Sequence, residues 1–125
     1  MKNFLVENGY DVEDFGTYTT DRCDYPDFAR KAALSVADGE CDRGVICCTT
    51  GIGVSMVANK VKNVRCALCL NEDMAVMTRK HNDANVIALG QKYVSESLAQ
   101  DIVTAFLTTD FEGGRHAVRV NKIEN

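Results

Sequence analysis

The residues with the clearest chemical potential form the run Cys47-Cys48-Thr49-Thr50-Gly51-Ile52-Gly53. An apolar stretch ends at Cys48, two glycines follow, and a helical pattern begins at the second of them. Amides at such a turn attract anionic oxygen, and glycines let a ligand approach the backbone closely. The same position favours the thiolate form of a cysteine. We therefore interpret Cys48 as a candidate reactive thiolate beside an oxyanion-binding loop, with a buried structural cysteine as the alternative.

Other chemistries fit the cysteines and glycines less well. The two glycines match neither the Walker A spacing nor the dinucleotide fingerprint, which argues against a nucleotide. Cys66 and Cys69 have zinc-site spacing, but residues three apart on a strand point to opposite faces and no second pair exists, so we expect no metal. Most of the cysteines lie in strand-like apolar runs, as small buried hydrophobes do; the six are Cys23, Cys41, Cys47, Cys48, Cys66 and Cys69.

Two further groups of residues could transfer a proton or bind an anion. His81 and Asn82 lie in a polar run between a helix and a strand, where a histidine can act as a general acid–base or simply complement the helix dipole. Arg115 and Arg119 follow two glycines at a spacing of four. On a helix they would share one face and could bind a phosphate or carboxylate, or form a solvated basic face.

Composition limits the class of protein. The chain has 125 residues, 46% of them apolar and 26% charged, which suits one domain spanning 1–125. A net charge of −4, no Trp and no basic run argue against nucleic acid as a partner. No apolar run reaches the roughly 18 residues of a membrane span. The absence of a recognisable export signal leads us to expect a cytoplasmic protein.

The elements that must position these residues follow from two apolar periods. Period two or unbroken apolar runs predict strands at 10–15, 44–48, 65–70 and 85–90. The helical period predicts helices at 26–37, 53–61, 71–80, 95–107 and 114–123, and residues 1–9 are typical of a helix end with a glycine stop. This alternation predicts a doubly wound, Rossmann-like α/β fold with a parallel sheet, helices on both faces, and ligands at the carboxyl ends of the strands. The strand that ordinarily precedes the first helix of such a fold is not found.

Several stretches, in order along the chain, together resemble the ribose-5-phosphate isomerase B family, which includes the galactose-6-phosphate isomerase subunits. They are Asp14 to Tyr18, Asp24 to Pro26, Cys48 to Gly53, Ala58 to Lys60, His81 to Gly90 and Glu112 to Arg119. The resemblance implies interconversion of ribose 5-phosphate and ribulose 5-phosphate through an enediolate, without metal or cofactor. It also implies a homodimer whose active sites mix residues of both subunits, and it leaves open whether two dimers pair.

The resemblance assigns a role to each matching residue. Cys48 is the base and His81 the ring-opening acid. The backbone amides that stabilise the oxyanion belong to Thr49, Thr50, Gly51, Ile52 and Gly53. The residues that contact the sugar or phosphate are Tyr25, Asn82, Lys92, Arg115 and Arg119.

The chain departs from the family pattern at three places. Thr49 stands where glycine is usual, and Lys92 stands where many members have a phosphate-binding arginine. The family's first strand, with its Asp-His pair, is not found. Deleting a central strand leaves neighbouring backbone groups unpaired. We therefore expect this polypeptide to fold poorly or to be inactive unless the sheet re-pairs or a partner fills the slot.

Three alternative functions remain. The first is isomerisation of a hexose 6-phosphate such as that of galactose or allose. The second is an inactive homologue that binds sugar phosphates. The third is a flavodoxin-like redox protein using Cys47-Cys48 or the pair Cys66 and Cys69, although adjacent cysteines would form a strained disulfide.

Overall fold

The computed structural model describes residues 1–16 and 24–124; Cys23 and the end of the stretch Asp14 to Tyr18 (residues 17 and 18) lie outside these ranges. Within them the chain alternates helices and strands after a first pair of helices. In order, the elements are α1 (Lys2–Glu7), α2 (Tyr25–Ala37), β1 (Gly44–Cys48), α3 (Ile52–Asn59), β2 (Cys66–Leu68), α4 (Glu72–Asn82), β3 (Val86–Gly90), α5 (Glu96–Thr108) and α6 (Arg115–Glu124).

The three strands form one parallel sheet in the order β1-β3-β2. In the register, Gly44 lies opposite Val86 and Cys48 lies opposite Gly90. All five residues of the central strand β3 are buried, as expected for a strand covered on both faces. The predicted parallel α/β architecture is confirmed.

Helices pack on both faces of the sheet and create two apolar cores. Val86 and Ala88 face the core that α2 and α3 complete. Ile87 and Leu89 alternate to the opposite face, where the core includes Phe106 and other side chains of α4 and α5. The β3 side chains therefore contribute to both cores, one on each face of the sheet.

The strand predicted at 10–15 is wrong. These residues are irregular and follow α1, where Gly9 has a φ of 87° and the Tyr10 N–H donates to the Leu5 carbonyl at 3.1 Å. A strand requires a neighbouring strand to pair its backbone groups. Among the described residues, β1 pairs with β3 alone, so the alternating segment has no strand beside it to join.

The predicted helices are all found, with ends shifted by one or two residues. Side-chain caps explain two of the starts. Asn71 Oδ1 accepts from the Met74 N–H at 2.9 Å, and Ser95 Oγ accepts from the Leu98 N–H at 3.1 Å. No helix in the described ranges combines the length and apolar character needed to cross a membrane.

Candidate active site

The loop between β1 and α3 surrounds the thiol of Cys48. Its Sγ is half-buried and accepts a hydrogen bond from the Gly51 N–H at 3.0 Å. Gly51 has a φ of 78°, a left-handed conformation that glycine adopts without strain. Thr50 Oγ1 accepts from the Ile52 N–H at 3.2 Å. The Gly51 N–H of the loop is therefore directed at the sulfur, and the Thr50 hydroxyl caps the next amide.

The loop that follows β3 is hydrogen-bonded to the loop that contains Cys48. The Gln91 N–H donates to the Cys48 carbonyl at 3.0 Å, and the Lys92 N–H donates to the Thr49 carbonyl at 2.9 Å. Gly90 lies so close to the backbone of Thr50 that any Cβ there would overlap it. Lys92 therefore lies beside the cysteine loop. The two loops can approach this closely because Gly90 has no Cβ.

Tyr25 reaches the same loop from α2. A Cβ on Gly53 would lie 2.5 Å from the Tyr25 hydroxyl, so the phenol ring rests directly on this glycine. The ring is 50% exposed, which leaves it available to a ligand. Thr49, the residue that departs from the family pattern, has an exposed side chain and no left-handed backbone angle. A β-branched residue is therefore accommodated there without backbone strain.

The other predicted residues form a separate cluster around His81, in the last turn of α4. Its ring stacks on that of His116, with centroids 4.2 Å apart and planes inclined by 12°. His81 Nε2 also lies 3.5 Å from Glu112 Oε1. Burial lowers the pKa of His116, and the neighbouring charges of His81 and Arg115 lower it further. Glu112 and His116 were not among the predicted site residues; their one signal in the sequence is that they lie in the motif that ends at Arg119.

Backbone hydrogen bonds hold this cluster together. The Glu112 N–H donates to the Lys80 carbonyl at 3.2 Å, and the His116 N–H donates to the Gly113 carbonyl at 3.1 Å. Asn82 is exposed next to His81 in α4. Arg115 and Arg119 are exposed on α6, at the helical spacing predicted from the sequence.

The two clusters lie at opposite ends of the sheet. Cys48 ends β1, whereas α4 runs back from the carboxyl end of β2 and delivers its last residues to the start of β3. The Asn85 N–H donates to the Arg65 carbonyl at 3.0 Å, which fixes this turn beside the start of β2. Four steps along β3 already span roughly 13 Å. Within one chain, therefore, Cys48 and His81 do not meet.

The comparisons with known proteins agree on one family. A sequence profile described as "Ribose/Galactose Isomerase" matches residues 1–123. The chain belongs to this isomerase family. Ribose-5-phosphate isomerase B of Escherichia coli K12 is 46% identical over 119 residues, which cover 95% of this chain and 80% of that protein.

Solved structures of the family share the fold closely. That of Clostridium thermocellum ribose-5-phosphate isomerase B is 53% identical, with a TM-score of 0.96 over 98% of this chain and 83% of that one. The Mycoplasma genitalium enzyme, crystallised with bound ribulose 5-phosphate, is 42% identical, with a TM-score of 0.92 over 98% of this chain and 82% of that one. The family and the Rossmann-like fold expected from the sequence are confirmed.

Cys66, in β2, and Cys69, just after it, do not support the redox alternative. Burial raises the pKa of Cys66 to about 12 and that of Cys69 to about 11. Both groups are therefore thiols at neutral pH, whereas the thiolate is the form that attacks a disulfide. Membership of the isomerase family accounts for the chain better than a flavodoxin-like function does.

Proposed function

We propose that this chain catalyses the reversible isomerisation of ribose 5-phosphate and ribulose 5-phosphate. The observation that carries the proposal is the Cys48 thiol, whose Sγ accepts from the Gly51 N–H at 3.0 Å at the mouth of an amide-lined loop. Family membership and the relative that was crystallised with bound ribulose 5-phosphate support the choice of sugar.

In the forward direction, the Cys48 thiolate removes the proton from C2 of the open-chain aldose. The electron pair of the C–H bond forms the C1–C2 double bond, and the carbonyl oxygen on C1 takes the negative charge of an enediolate. The amides of Thr49 to Gly53 stabilise this charge as it develops. The thiol then returns a proton to C1 while the hydroxyl proton of O2 moves to the oxygen on C1, which yields the ketose. No metal or cofactor takes part.

Before this step the furanose ring must open. We propose that His81 donates the proton that the ring oxygen takes up as its bond to C1 breaks, while the C1 hydroxyl releases its proton to water and becomes the carbonyl. Asn82 orients the sugar, Tyr25 borders it, and the phosphate is bound by Lys92, Arg115 and Arg119. The guanidinium groups offer bidentate hydrogen bonds, and Lys92 contributes a point charge.

We also propose that the working protein is a homodimer whose active sites are shared. The base and the ring-opening acid must act on atoms of one sugar a few bonds apart, yet the two clusters lie at opposite ends of the sheet. A second copy resolves this difficulty if its His81, Asn82, Arg115 and Arg119 face the Cys48 loop of the first. In a two-fold dimer, the interface would then contain two such sites.

Mixing two inactive variants tests the shared site. Cys48→Ala and His81→Ala chains are each expected to be inactive alone. If subunits exchange at random, half of the dimers carry one intact site of two, and about a quarter of the wild-type activity returns. A mixture that exchanges subunits, as seen by native mass spectrometry, but stays inactive would place both residues in the site of one chain.

The substrate is tested with a panel of phosphorylated sugars. Purified protein is incubated with ribose 5-phosphate, galactose 6-phosphate and allose 6-phosphate in D2O, and NMR follows ketose formation and deuterium at the exchanged carbon. Turnover of ribose 5-phosphate with the highest kcat/KM supports the proposal. Preference for a hexose 6-phosphate, or binding with neither turnover nor exchange, would replace it by one of the alternatives.

A further inference from the structure

Three metal-ligating side chains converge where α4 meets the start of α6. The ligand atoms of His81, Glu112 and His116 all lie within 4.8 Å of one another. We propose that these residues form a binding site for Zn²⁺, and that the bound ion inhibits the isomerase by occupying His81.

The donor set fits zinc better than it fits Ca²⁺ or Mg²⁺. Two imidazoles and one carboxylate are typical zinc ligands, and three protein ligands leave a fourth tetrahedral position for water. Ca²⁺ and Mg²⁺ prefer sites built from oxygen atoms. The cysteine spacing gave no reason to expect zinc, but this site uses none of the cysteines.

The three side chains already lie near one another before any ion binds. His116 is only 8% exposed and stacks on His81, so its ring has little freedom to turn away. The Glu112 N–H is bonded to the Lys80 carbonyl, next to His81 in sequence. Tetrahedral zinc with bonds of about 2.0–2.1 Å needs donor atoms roughly 3.3 Å apart. The half-exposed His81 ring must therefore tilt out of the stack so that both nitrogens point at the ion.

The surrounding charges are expected to make zinc binding reversible, so that the ion does not act as a permanent part of the fold. Glu112 is the only carboxylate of the trio, whereas Lys80, Arg115 and Arg119 lie on the same two helices and repel a divalent cation. The ion is therefore expected to dissociate readily. A site of this kind responds to the free Zn²⁺ concentration and does not permanently hold the fold together.

Inhibition follows from the chemistry of one ring nitrogen, and this part rests on the proposed function. A zinc-bound imidazole nitrogen has no lone pair left to carry the proton that opens the furanose ring. Zinc should therefore slow turnover of the cyclic sugar more than deuterium exchange into the product ketose, which is open-chain and needs no ring-opening acid.

The site itself is tested by metal binding without any substrate. Full-length chain, treated with a chelator and then dialysed, is titrated with Zn²⁺ by calorimetry and with Co²⁺ by visible spectroscopy. We expect one ion per chain and a tetrahedral Co²⁺ spectrum without thiolate charge-transfer bands. Removal of a ligand by Glu112→Gln or His116→Gln should weaken binding at least tenfold, whereas Asp110→Asn, which changes an exposed carboxylate in the same loop, should leave it unchanged.

Each result has a definite meaning. Thiolate bands, or equal affinity in the wild type and in Glu112→Gln, would overturn the site. Glu112 is exposed, so this variant tests binding even if His116→Gln fails to fold. In the activity arm, each protein is compared with its own zinc-free rate; inhibition that persists in Glu112→Gln would overturn the regulatory role. Absence of any isomerase activity would refute the proposed function, while the titration would still decide the metal site.

Discussion

The chemistry proposed for Cys48 depends on the atoms around its sulfur rather than on the cysteine alone. Cys47 is adjacent in sequence, but its side chain points to the opposite face of the strand and has no hydrogen bond to the loop amides. Only Cys48 accepts from Gly51. Neighbouring cysteines therefore make a matched pair for testing which thiol acts.

Replacing the proposed base should stop turnover without preventing binding. Cys48→Ala is expected to lower kcat by about 10²–10⁴-fold or more, because general acid–base groups contribute on that order. The affinity for a phosphorylated sugar, measured by calorimetry, should change little because the phosphate anchor is intact. Cys47→Ala serves as the control and should retain its activity. Undiminished turnover in Cys48→Ala would identify another base.

Arg115 is expected to act on the phosphate and not on the reacting carbons. Arg115→Ala should raise KM about tenfold or more, since a charge-assisted hydrogen bond contributes on the order of 1.5–3 kcal/mol. Arg115→Lys should recover part of the loss, because it keeps the charge but not the fork. Steady-state kinetics with Arg30→Ala, an exposed arginine on α2, as the control would check this. An effect confined to kcat would argue against phosphate binding.

At the scale of elements, β2 shows how a short strand can be fixed by its neighbours. Asn59, at the end of α3, exchanges two hydrogen bonds with the backbone of Cys66, at 3.0 and 2.8 Å. The strand is only three residues long. The Asn59 side chain satisfies the backbone groups of Cys66 that no neighbouring strand among the described residues pairs. The same packing buries the Cys66 thiol and raises its pKa from the usual 9.0 to about 12.

This shift predicts a loss of stability at alkaline pH. The folded protein retains the Cys66 proton at pH values where the unfolded chain releases it, so the stabilisation is complete below pH 9 and is lost as the pH rises toward about 12. Urea unfolding at several pH values should show a shallower alkaline decline for Cys66→Ala than for the wild type. Cys41→Ala provides the comparison. Parallel declines in wild type and Cys66→Ala would mean that the thiol ionises equally in both states.

At the scale of the whole molecule, one side of β1 has no neighbouring strand among the described residues. Within the described residues β1 pairs only with β3. Gly44 donates to the Asn85 carbonyl, and the Cys48 carbonyl accepts from Gln91. Alternate residues of a strand direct their backbone groups to opposite sides, so Val45 and Cys47 direct theirs away from β3. An edge of this kind is open to another strand.

Amide hydrogen exchange of the 125-residue polypeptide should reveal this edge. The Ile46 amide, which faces β3, is expected to exchange slowly, and the Val45 and Cys47 amides on the open side are expected to exchange faster. NMR can measure the three amides in one sample. Equal protection on both sides of β1 would mean that another strand covers the edge, and that the expected weakness of the sheet is relieved.

The sequence by itself determined the family, the parallel α/β order and the loop that holds Cys48. Unbroken apolar runs, helical periods and glycines are local signals, because a residue's period and backbone freedom depend on its immediate neighbours. The prediction of a strand at 10–15 was wrong for the same reason. Its alternating pattern is local, whereas a strand exists only where another strand can pair with it.

Only the tertiary structure decided which side chains meet. The stacking of His81 on His116, the approach of Glu112, and the separation of this cluster from Cys48 join residues that are far apart in sequence. They depend on the direction in which α4 returns across the sheet and on the loop that leads into α6. No local pattern encodes those directions, since they follow from packing two helical layers against one set of parallel strands.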